Sequence, residues 1–198
     1  MLTWSRLWFA VAALLLPDPA VAQDHLQQED HQALQKILSE VEKAINAQDI
    51  EGILAQMDPN CTVTWWNAEI SRGHDDIRAY YRRMVKDPGR FITKYTTQAK
   101  VDAPARSVGS GGDVAVADGS MEDKFFPIIR GPFKLSSRWS ATAVKSGGQW
   151  KIVNLHLSAN VFTNTLVAEL TRALWYAGAA GLVAGGLAGW FLGRRRRQ

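Results

Sequence analysis

The 198-residue chain contains a single cysteine, Cys61, so no disulfide can form within it. The fold must therefore be held together by an apolar core, and the composition supplies one, with eight tryptophans and 46% hydrophobic residues. We expect the Cys61 thiol to be buried and inert, the alternative being a bridge between two chains. The sequence has no low-complexity tract and no internal repeat, which excludes repeat architectures.

The domain also lacks a surplus of charge, although the whole chain has a formal charge of +4. The four arginines at 194–197 account for that surplus. Removing them and Arg6 from the 23 basic residues leaves 18, and removing Asp18 from the 19 acidic residues also leaves 18. A nucleic-acid partner needs a basic face on the folded domain, so the sequence predicts no nucleic-acid binding.

Motifs for metal or nucleotide binding are missing as well. His74, Asp75 and Asp76 are consecutive at a predicted helix start, where the helix dipole favours acids, so they do not converge on one ion. The glycine-rich residues 109–112 precede a strand rather than a helix, which is not the setting of a phosphate-binding loop. We therefore expect no metal and no cofactor.

The first 22 residues have the pattern of a secretory signal peptide. Arg6 supplies the positive end, residues 7–16 form an apolar run, and Ala20, Val21 and Ala22 offer a cleavage site. The run of ten residues is short for a membrane span, but an uncleaved N-terminal anchor remains the alternative.

A second apolar segment, residues 173–192, carries no charge and is bounded by arginines. Twenty helical residues span about 30 Å, the thickness of the hydrocarbon core of a bilayer. We predict a juxtamembrane linker at 163–172, a transmembrane helix at 173–193 and a cytoplasmic basic tail at 194–198. The positive-inside rule then places the domain on the periplasmic or extracellular side of a cell membrane, with a single pass. Bacterial C-terminal sorting tags end in the same way, so removal of the segment is the alternative.

Four glycines recur at every fourth position of this segment: Gly181, Gly185, Gly189 and Gly193. That spacing places them on one helical face, along which two helices can approach closely. We expect the face to pair two copies of the chain. The alternative is that small residues are simply common in weakly hydrophobic spans.

Helical periodicity comes first along the domain, and strand signals follow. An apolar stripe predicts a helix within 24–48, Asp49 caps a short second helix that reaches Met57, and a third helix follows Arg72. Strands are predicted over 61–66, 91–101, 114–121, 133–144 and 150–157, the last two joined by a turn at 146–149. This order predicts an α+β domain over residues 23–162, with a curved antiparallel sheet packed on three N-terminal helices.

Several segments follow one another in a characteristic order within residues 30–162: Ala44-Ile45-Asn46-Ala47-Gln48-Asp49, Met57-Asp58-Pro59, Gly73 with Ile77, Arg138, and the strand at 148–158. Together they resemble the nuclear-transport-factor-2-like superfamily, in its SnoaL-like and calcium/calmodulin-dependent kinase II association-domain branches. The resemblance implies a cone-shaped fold, in which a bent sheet wraps round three helices and a pocket opens at the wide end. It also implies a homodimer formed through the outer face of the sheet.

Side-chain alternation along the last strand predicts an inward face composed of Trp150, Ile152, Asn154, His156 and Ser158. It predicts an apolar outer face, suited to a second subunit, composed of Val153, Leu155 and Leu157. The predicted ligand pocket consists of Trp65, Tyr81, Arg138, Asn154 and Ser158.

Members of this superfamily include isomerases, dehydratases and cyclases, but also proteins that only bind ligands or oligomerise, so the fold does not decide the function. We expect a membrane-anchored domain that binds a small apolar or carboxylated ligand, assembles as a homodimer, or does both. The alternative is an enzyme in which His156 is the general acid or base and Asp118 orients its imidazole. A third interpretation makes His156 and Arg138 structural polar groups without a ligand.

Overall fold

The computed structural model of the protein describes residues 26–108, 111–160, 162 and 164–195. The helices are α1 (Gln28–Ala47), α2 (Ile50–Leu54), α3 (Gly73–Tyr81), which continues into a π-helical turn (Arg82–Lys86), and α4 (Thr165–Arg195). The strands are β1 (Met57–Thr64), β2 (Ile70–Arg72), β3 (Ile92–Val101), β4 (Arg106–Ser107), β5 (Val114–Pro127), β6 (Phe133–Ser146) and β7 (Gln149–Ala159). The predicted signal peptide lies outside the described residues.

The strands form one sheet in the order β2-β1-β7-β6-β5-β3, and β4 pairs with β5. Neighbouring strands are antiparallel except for β1 and β7, which run parallel. The predicted turn between the last two strands is confirmed, because Gly147 and Gly148 adopt φ angles of 57° and 79°. Two consecutive positive φ angles are typical of a two-residue hairpin turn that matches strand twist. The α+β architecture expected from the sequence is therefore confirmed.

The N-terminal end of α1 is fixed to the β6–β7 hairpin by one buried acid. The Asp30 carboxylate accepts hydrogen bonds from Lys145 Nζ at 2.7 Å and from Trp150 Nε1 at 2.9 Å. The same carboxylate accepts from the backbone N–H of Gln27 at 3.2 Å, which caps the helix. The hydrogen bond from Lys145 is the largest of the effects that lower the pKa of Asp30, so the group is held as a carboxylate.

The C-terminal end of α1 is fixed to the edge strand β3. The Asn46 side chain donates to the carbonyl of Thr97 and accepts from its N–H, both at 3.0 Å. Gln48 makes the corresponding pair of bonds with the backbone of Tyr95, and Glu42 accepts from Ala99 N at 2.8 Å. Helix side chains thus satisfy the backbone groups that an edge strand leaves unpaired.

A bulge in β7 changes the direction of its side chains. Ile152 pairs with Ala143 and Asn154 pairs with Thr142, so Val153 has no partner in β6. Because a strand alternates with period two, one extra residue moves every following side chain to the other face. The predicted faces are therefore wrong beyond Ile152: the inward residues are Leu155 and Leu157, and the exposed ones are Asn154, His156 and Ser158.

The apolar outer face expected from Val153, Leu155 and Leu157 is consequently absent from this strand, since both leucines pack inside. The outer face carries polar and charged side chains instead, among them Ser136, Arg138 and Ser140 of β6. The homodimer remains a prediction, but it loses the apolar surface from which it was argued.

Helix α4 begins within the region predicted as a linker and extends for 31 residues. Residues Thr165–Arg194 are long and apolar enough to cross a membrane by length and composition, with a mean hydropathy of 1.3. Near its start, Glu169 forms an ion pair with Arg130 of the loop between β5 and β6. The four glycines of the predicted pairing face lie within this helix, and their role in self-association stays a prediction.

Gly119 of β5 provides a sharp test of the packing. An added Cβ would lie 1.9 Å from the carbonyl oxygen of Lys100 and 2.8 Å from Trp139 Nε1, and those two atoms are hydrogen-bonded at 3.2 Å. We expect Gly119→Ala to lower the free energy of unfolding by about 2–3 kcal/mol, measured by urea unfolding of the full chain in detergent. Gly131→Ala is the control, because its Cβ would meet no atom within 4 Å. Equal stability of the two variants would contradict the packing described.

Candidate functional site

The interior of the cone contains a cavity of about 190 Å³ between α1 and the sheet. One wall is the apolar face of α1, formed by Leu34, Ile37, Leu38, Val41 and Ile45. The opposite wall has alanines at facing positions of two neighbouring strands, since Ala117 pairs with Ala141 and Ala115 pairs with Ala143. Small side chains at these inward positions leave space that larger ones would fill, so the cavity follows from the sequence of β5 and β6.

Aromatic side chains line the part of the cavity next to α3. The indole of Trp65 stacks on Tyr80 with ring centroids 4.1 Å apart. Trp66 meets the rings of Tyr95 and Phe125 edge-on, at 5.3 and 5.6 Å. The Trp66 indole N–H is buried and has no acceptor among the described residues. A buried donor without a partner is costly, so a ligand acceptor that reached this group would gain a hydrogen bond.

A carboxylic acid lies behind the aromatic wall. Asp123 points inward from β5 and only 1% of it is exposed. It accepts hydrogen bonds from the Tyr95 hydroxyl at 2.8 Å, from Thr97 Oγ1 at 2.7 Å and from the Ser137 hydroxyl. Tyr95 and Thr97 also line the cavity, so the acid is one hydroxyl group removed from the cavity space.

The surroundings of Asp123 and Tyr95 raise the pKa values of both groups. Burial raises the pKa of Asp123, and the hydrogen bonds from Ser137, Thr97 and Tyr95 oppose part of that rise. Burial, together with the nearby Asp123 charge, raises the pKa of Tyr95 well above its ordinary value. Tyr95 is therefore a neutral phenol whose proton is directed at Asp123, and its oxygen remains an acceptor.

The proposed acid–base residues His156 and Asp118 do not contact each other. Both lie on the outer face of the sheet, in one row across three strands, with Ser140 between them. Adjacent strands are about 4.8 Å apart, so two strand spacings separate the two side chains by roughly 10 Å. The predicted orientation of His156 towards the pocket is wrong because of the bulge at Val153.

The structure divides the predicted pocket residues between two faces. Trp65 and Tyr81 line the cavity, and the Tyr81 hydroxyl donates to the backbone carbonyl of Gln48 at 2.9 Å. Arg138 is on the outer face, where it forms ion pairs with Asp102 at 2.6 Å and Asp118 at 3.4 Å. Asn154 and Ser158 are exposed on that same outer face. His156 and Arg138 therefore do not converge on a common site with Tyr81.

Sequence reasoning missed Asp123 and Tyr95, although β5 held a usable signal. The inward positions of this strand read Ala115, Ala117, Gly119, Met121, Asp123 and Phe125. Asp123 is the only charged residue in that series, and a lone acid on a core face requires hydrogen-bond donors. The predicted strand ended at Met121, two residues before the acid, so the alternation was not followed far enough.

Within the residues that the structure describes, no group of three or more His, Cys, Asp or Glu side chains is arranged to hold a metal ion. Cys61 is fully buried against Met57, and burial raises the pKa of its thiol. The cavity is thus bounded mostly by apolar and aromatic side chains, together with hydroxyl groups and the side chains of Glu42 and Gln48, and the carboxyl of Asp123 lies behind them.

The family model of the SnoaL-like domain matches residues 34–162, and the chain belongs to this family. This match, together with solved structures of the nuclear-transport-factor-2-like superfamily, confirms the resemblance inferred from the sequence. The curated proteins contain no match.

Solved structures with this fold include enzymes and proteins named only by superfamily. A candidate scytalone dehydratase of Novosphingobium aromaticivorans is 16% identical, with a TM-score of 0.57 over 67% of this chain and 85% of that one. The hexachlorocyclohexane dehydrochlorinase LinA-type3 of Novosphingobium barchaimii is 12% identical, with a TM-score of 0.57 over 69% and 90%. A superfamily protein of Salmonella enterica is 20% identical, with a TM-score of 0.53 over 68% and 94%. At such identities the likeness establishes the fold alone.

Two substitutions at Asp123 separate its charge from its hydrogen bonds. Because its pKa is raised in the folded protein, the native state binds the proton more tightly than the unfolded chain does. The contribution of Asp123 to stability is therefore complete below the pKa of the unfolded chain, about 3.9, and is lost as the pH rises through the higher pKa of the folded protein. We expect Asp123→Asn to remove this fall, and Asp123→Ala, which leaves three hydroxyls without their acceptor, to lower the free energy of unfolding by about 3 kcal/mol.

These effects are measured by urea unfolding of the full chain at a series of pH values. Asp118→Asn is the matched control, since Asp118 is a partly exposed acid on the outer face of the same strand. Its stability should change by no more than about 0.5 kcal/mol. If Asp123→Asn kept the pH slope of the unsubstituted protein, the buried acid would not be its source.

Proposed function

We propose that this protein binds a small, largely apolar ligand inside its SnoaL-like domain and that α4 tethers the domain to a membrane. The observation that carries the proposal is the cavity of about 190 Å³, walled by the apolar face of α1 and by paired alanines of β5 and β6. Ligand sites are mostly apolar concavities with a few polar groups that fix orientation. Here the polar groups are the Trp66 N–H and the oxygen of Tyr95.

These two groups define the ligand more closely. The buried Trp66 N–H requires an acceptor, such as a carbonyl, hydroxyl or carboxylate oxygen. The oxygen of Tyr95 can accept a hydrogen bond from a ligand, because its own hydroxyl hydrogen is directed at Asp123. A fused-ring molecule with one hydroxyl group satisfies both requirements, and the aromatic rings next to α3 match its flat faces.

The tether is argued from α4 and from the charges around it. Residues 173–193 carry no charge, and arginines at 194–197 follow directly. A basic cluster at one end of a span is retained on the cytoplasmic side, which places the domain outside the cytoplasm in a single-pass topology. The signal-peptide pattern of the first 22 residues supports the same orientation.

Filling the cavity tests the binding function. We expect Ala141→Leu, which adds side-chain volume to the inward face of β6, to weaken binding of 2-naphthol at least tenfold. Isothermal titration calorimetry of the full chain in one detergent measures the affinity. The matched control is Ser140→Leu, which places the same side chain on the outer face and should leave the affinity unchanged. Equal affinities for the protein and Ala141→Leu would exclude the cavity as the binding site.

A second candidate function is acid–base catalysis, and one observation favours it: Tyr95 lines the cavity and its hydroxyl donates a hydrogen bond to the buried Asp123. A carboxyl with a raised pKa behind a neutral phenol is suited to moving a proton to or from a bound ketone. The outer-face position of His156 favours this pair over the histidine.

Proton exchange in 2-tetralone tests the catalytic candidate. We expect the full chain to speed the replacement of its α-hydrogens by deuterium in D₂O, followed by proton NMR. Asp123→Asn should reduce the rate to that of buffer, whereas His156→Ala should leave it unchanged. A loss of exchange in His156→Ala alone would support the histidine instead, and no exchange with any variant would leave ligand binding as the function.

A further inference from the structure

The loop between β5 and β6, residues 128–132, exposes large apolar side chains to solvent. Ile129 is 94% exposed and Ile128 is 50% exposed. The neighbouring Phe91, which is 63% exposed, accepts a hydrogen bond from the backbone N–H of Ile128 at 3.2 Å. Single exposed apolar residues are ordinary, but three at one end of a sheet mark a contact surface.

The charges that the strands and the loop contribute around this surface are basic, and an acid of α4, Glu169, pairs with one of them, Arg130. Residues 90–94 and 124–134 contain five basic residues and no acidic one: Arg90, Lys94, Lys124, Arg130 and Lys134. The domain as a whole is neutral once the flanking segments are removed, so this basic cluster is local. A membrane surface matches this combination, because its acyl chains accept apolar side chains and its anionic headgroups attract the surrounding cations.

The loop is also adjacent to the candidate membrane span. Arg130 forms an ion pair with Glu169 of α4. Glu169 precedes the uncharged segment, which begins at Ala173, by four residues, or about 6 Å of helix. A side chain paired to Glu169 therefore lies one helical turn from the hydrocarbon boundary, at the depth of the headgroups.

A continuous set of ring contacts connects this loop with the cavity. The Arg130 guanidinium lies 4.9 Å from the ring centre of Phe133, and Phe133 stacks on Phe125 at 5.2 Å. Phe125 stacks in turn on Tyr95 at 5.0 Å, and both rings line the cavity. The lining residues at this end include the half-buried Met84 and Ile92 beside the buried Val85, and those at the far end include the buried Ala105 and Ala115 beside the half-buried Leu34.

We infer that the loop 128–132 rests on the lipid headgroups, with Ile128 and Ile129 entering the interface, so that the end of the cavity lined by Phe125 and Tyr95 faces the bilayer. This inference depends on the membrane tether proposed above. Apolar ligands concentrate in bilayers, so a cavity that faces the lipid surface is filled from the membrane rather than from solution. The basic ring gives the contact a preference for anionic lipids.

Fluorescent labels at three positions of the full chain test the contact in lipid nanodiscs. Ile129→Cys places the label on the loop, and Ser146→Cys, the control, places it at the other end of β6, about 40 Å away. Leu187→Cys reports on α4 itself. The native Cys61 is fully buried, so it does not compete for the label.

Headgroup spin-labelled lipid should quench the Ile129 label by at least half and the Ser146 label by less than a tenth. Replacing zwitterionic lipid by one-third phosphatidylglycerol should increase quenching at Ile129, and 0.5 M salt should reverse the increase. Equal quenching at the two positions would overturn the contact. So would energy transfer between Ile129 labels on two chains without lipid quenching, which would make the surface a contact between copies.

The Leu187 label separates failure of this inference from failure of the tether. Lipid that is spin-labelled on the acyl chain should quench Leu187 if α4 crosses the bilayer. Quenching at Leu187 without quenching at Ile129 would overturn the loop contact and leave the tether intact. No quenching at Leu187 would overturn the tether, and the loop contact with it.

Discussion

The placement of α1 across the sheet is the constraint on which the other features depend. Polar contacts fix both ends of this helix: Asp30 at the N-terminal end binds Lys145 and Trp150, and Asn46 at the C-terminal end binds the backbone of Thr97. The bond from Trp150 is buried and the other two are partly buried, and hydrogen bonds of charged and amide groups are stronger where water is excluded. The helix is thus held at both ends by polar contacts, in addition to the packing of Ile37 and Val41 at its middle against the core.

This placement explains how the interior can contain a cavity in a folded domain. Between the two fixed ends, the apolar face of α1 meets a sheet wall with alanine pairs, Ala117 with Ala141 and Ala115 with Ala143. A helix that was free to move would settle onto such small residues and remove the space, because interiors tend to close packing. The end contacts prevent that movement, so the cavity depends on residues that do not line its alanine wall.

Much of this fold could be predicted from local sequence signals. The turn at Gly147 and Gly148, the cap at Asp49 and the periodicity of α1 each act within a few residues, and the structure confirms them. The short second helix was predicted to reach Met57, but Met57 starts β1, because pairing with Ile152 of the distant β7 determines its conformation.

The candidate site was harder to predict, because it depends on register across strands. No local signal marks the bulge at Val153, which arises where β7 pairs with β6 and β1 together, and it moves His156 from the expected inner face to the outer one. The cluster round Asp123 joins β3, β5 and β6, and residues 26 and 14 positions away provide its Thr97 and Ser137 partners. Only the pairing of the strands brings such groups together.

The buried acid is the feature that packing alone does not explain. A carboxyl that is removed from water is costly, and an apolar side chain of similar volume would fill the same space without that cost. The hydroxyls of Thr97 and Ser137 do not require an acid, since threonine and serine can donate their hydrogen bonds to backbone carbonyls instead.

Tyr95 connects the buried acid with the cavity, because it donates a hydrogen bond to Asp123 and also lines the cavity wall. By accepting the hydrogen bond of the Tyr95 hydroxyl, Asp123 leaves the phenol oxygen available as an acceptor, opposite in polarity to the unpartnered N–H of Trp66. A ligand that bonded to both the Trp66 N–H and the Tyr95 oxygen would therefore take one orientation in the mostly apolar cavity. Burial of Asp123 lowers the stability of the fold, and the hydrogen bond to Tyr95 is what the buried acid contributes to the proposed ligand site.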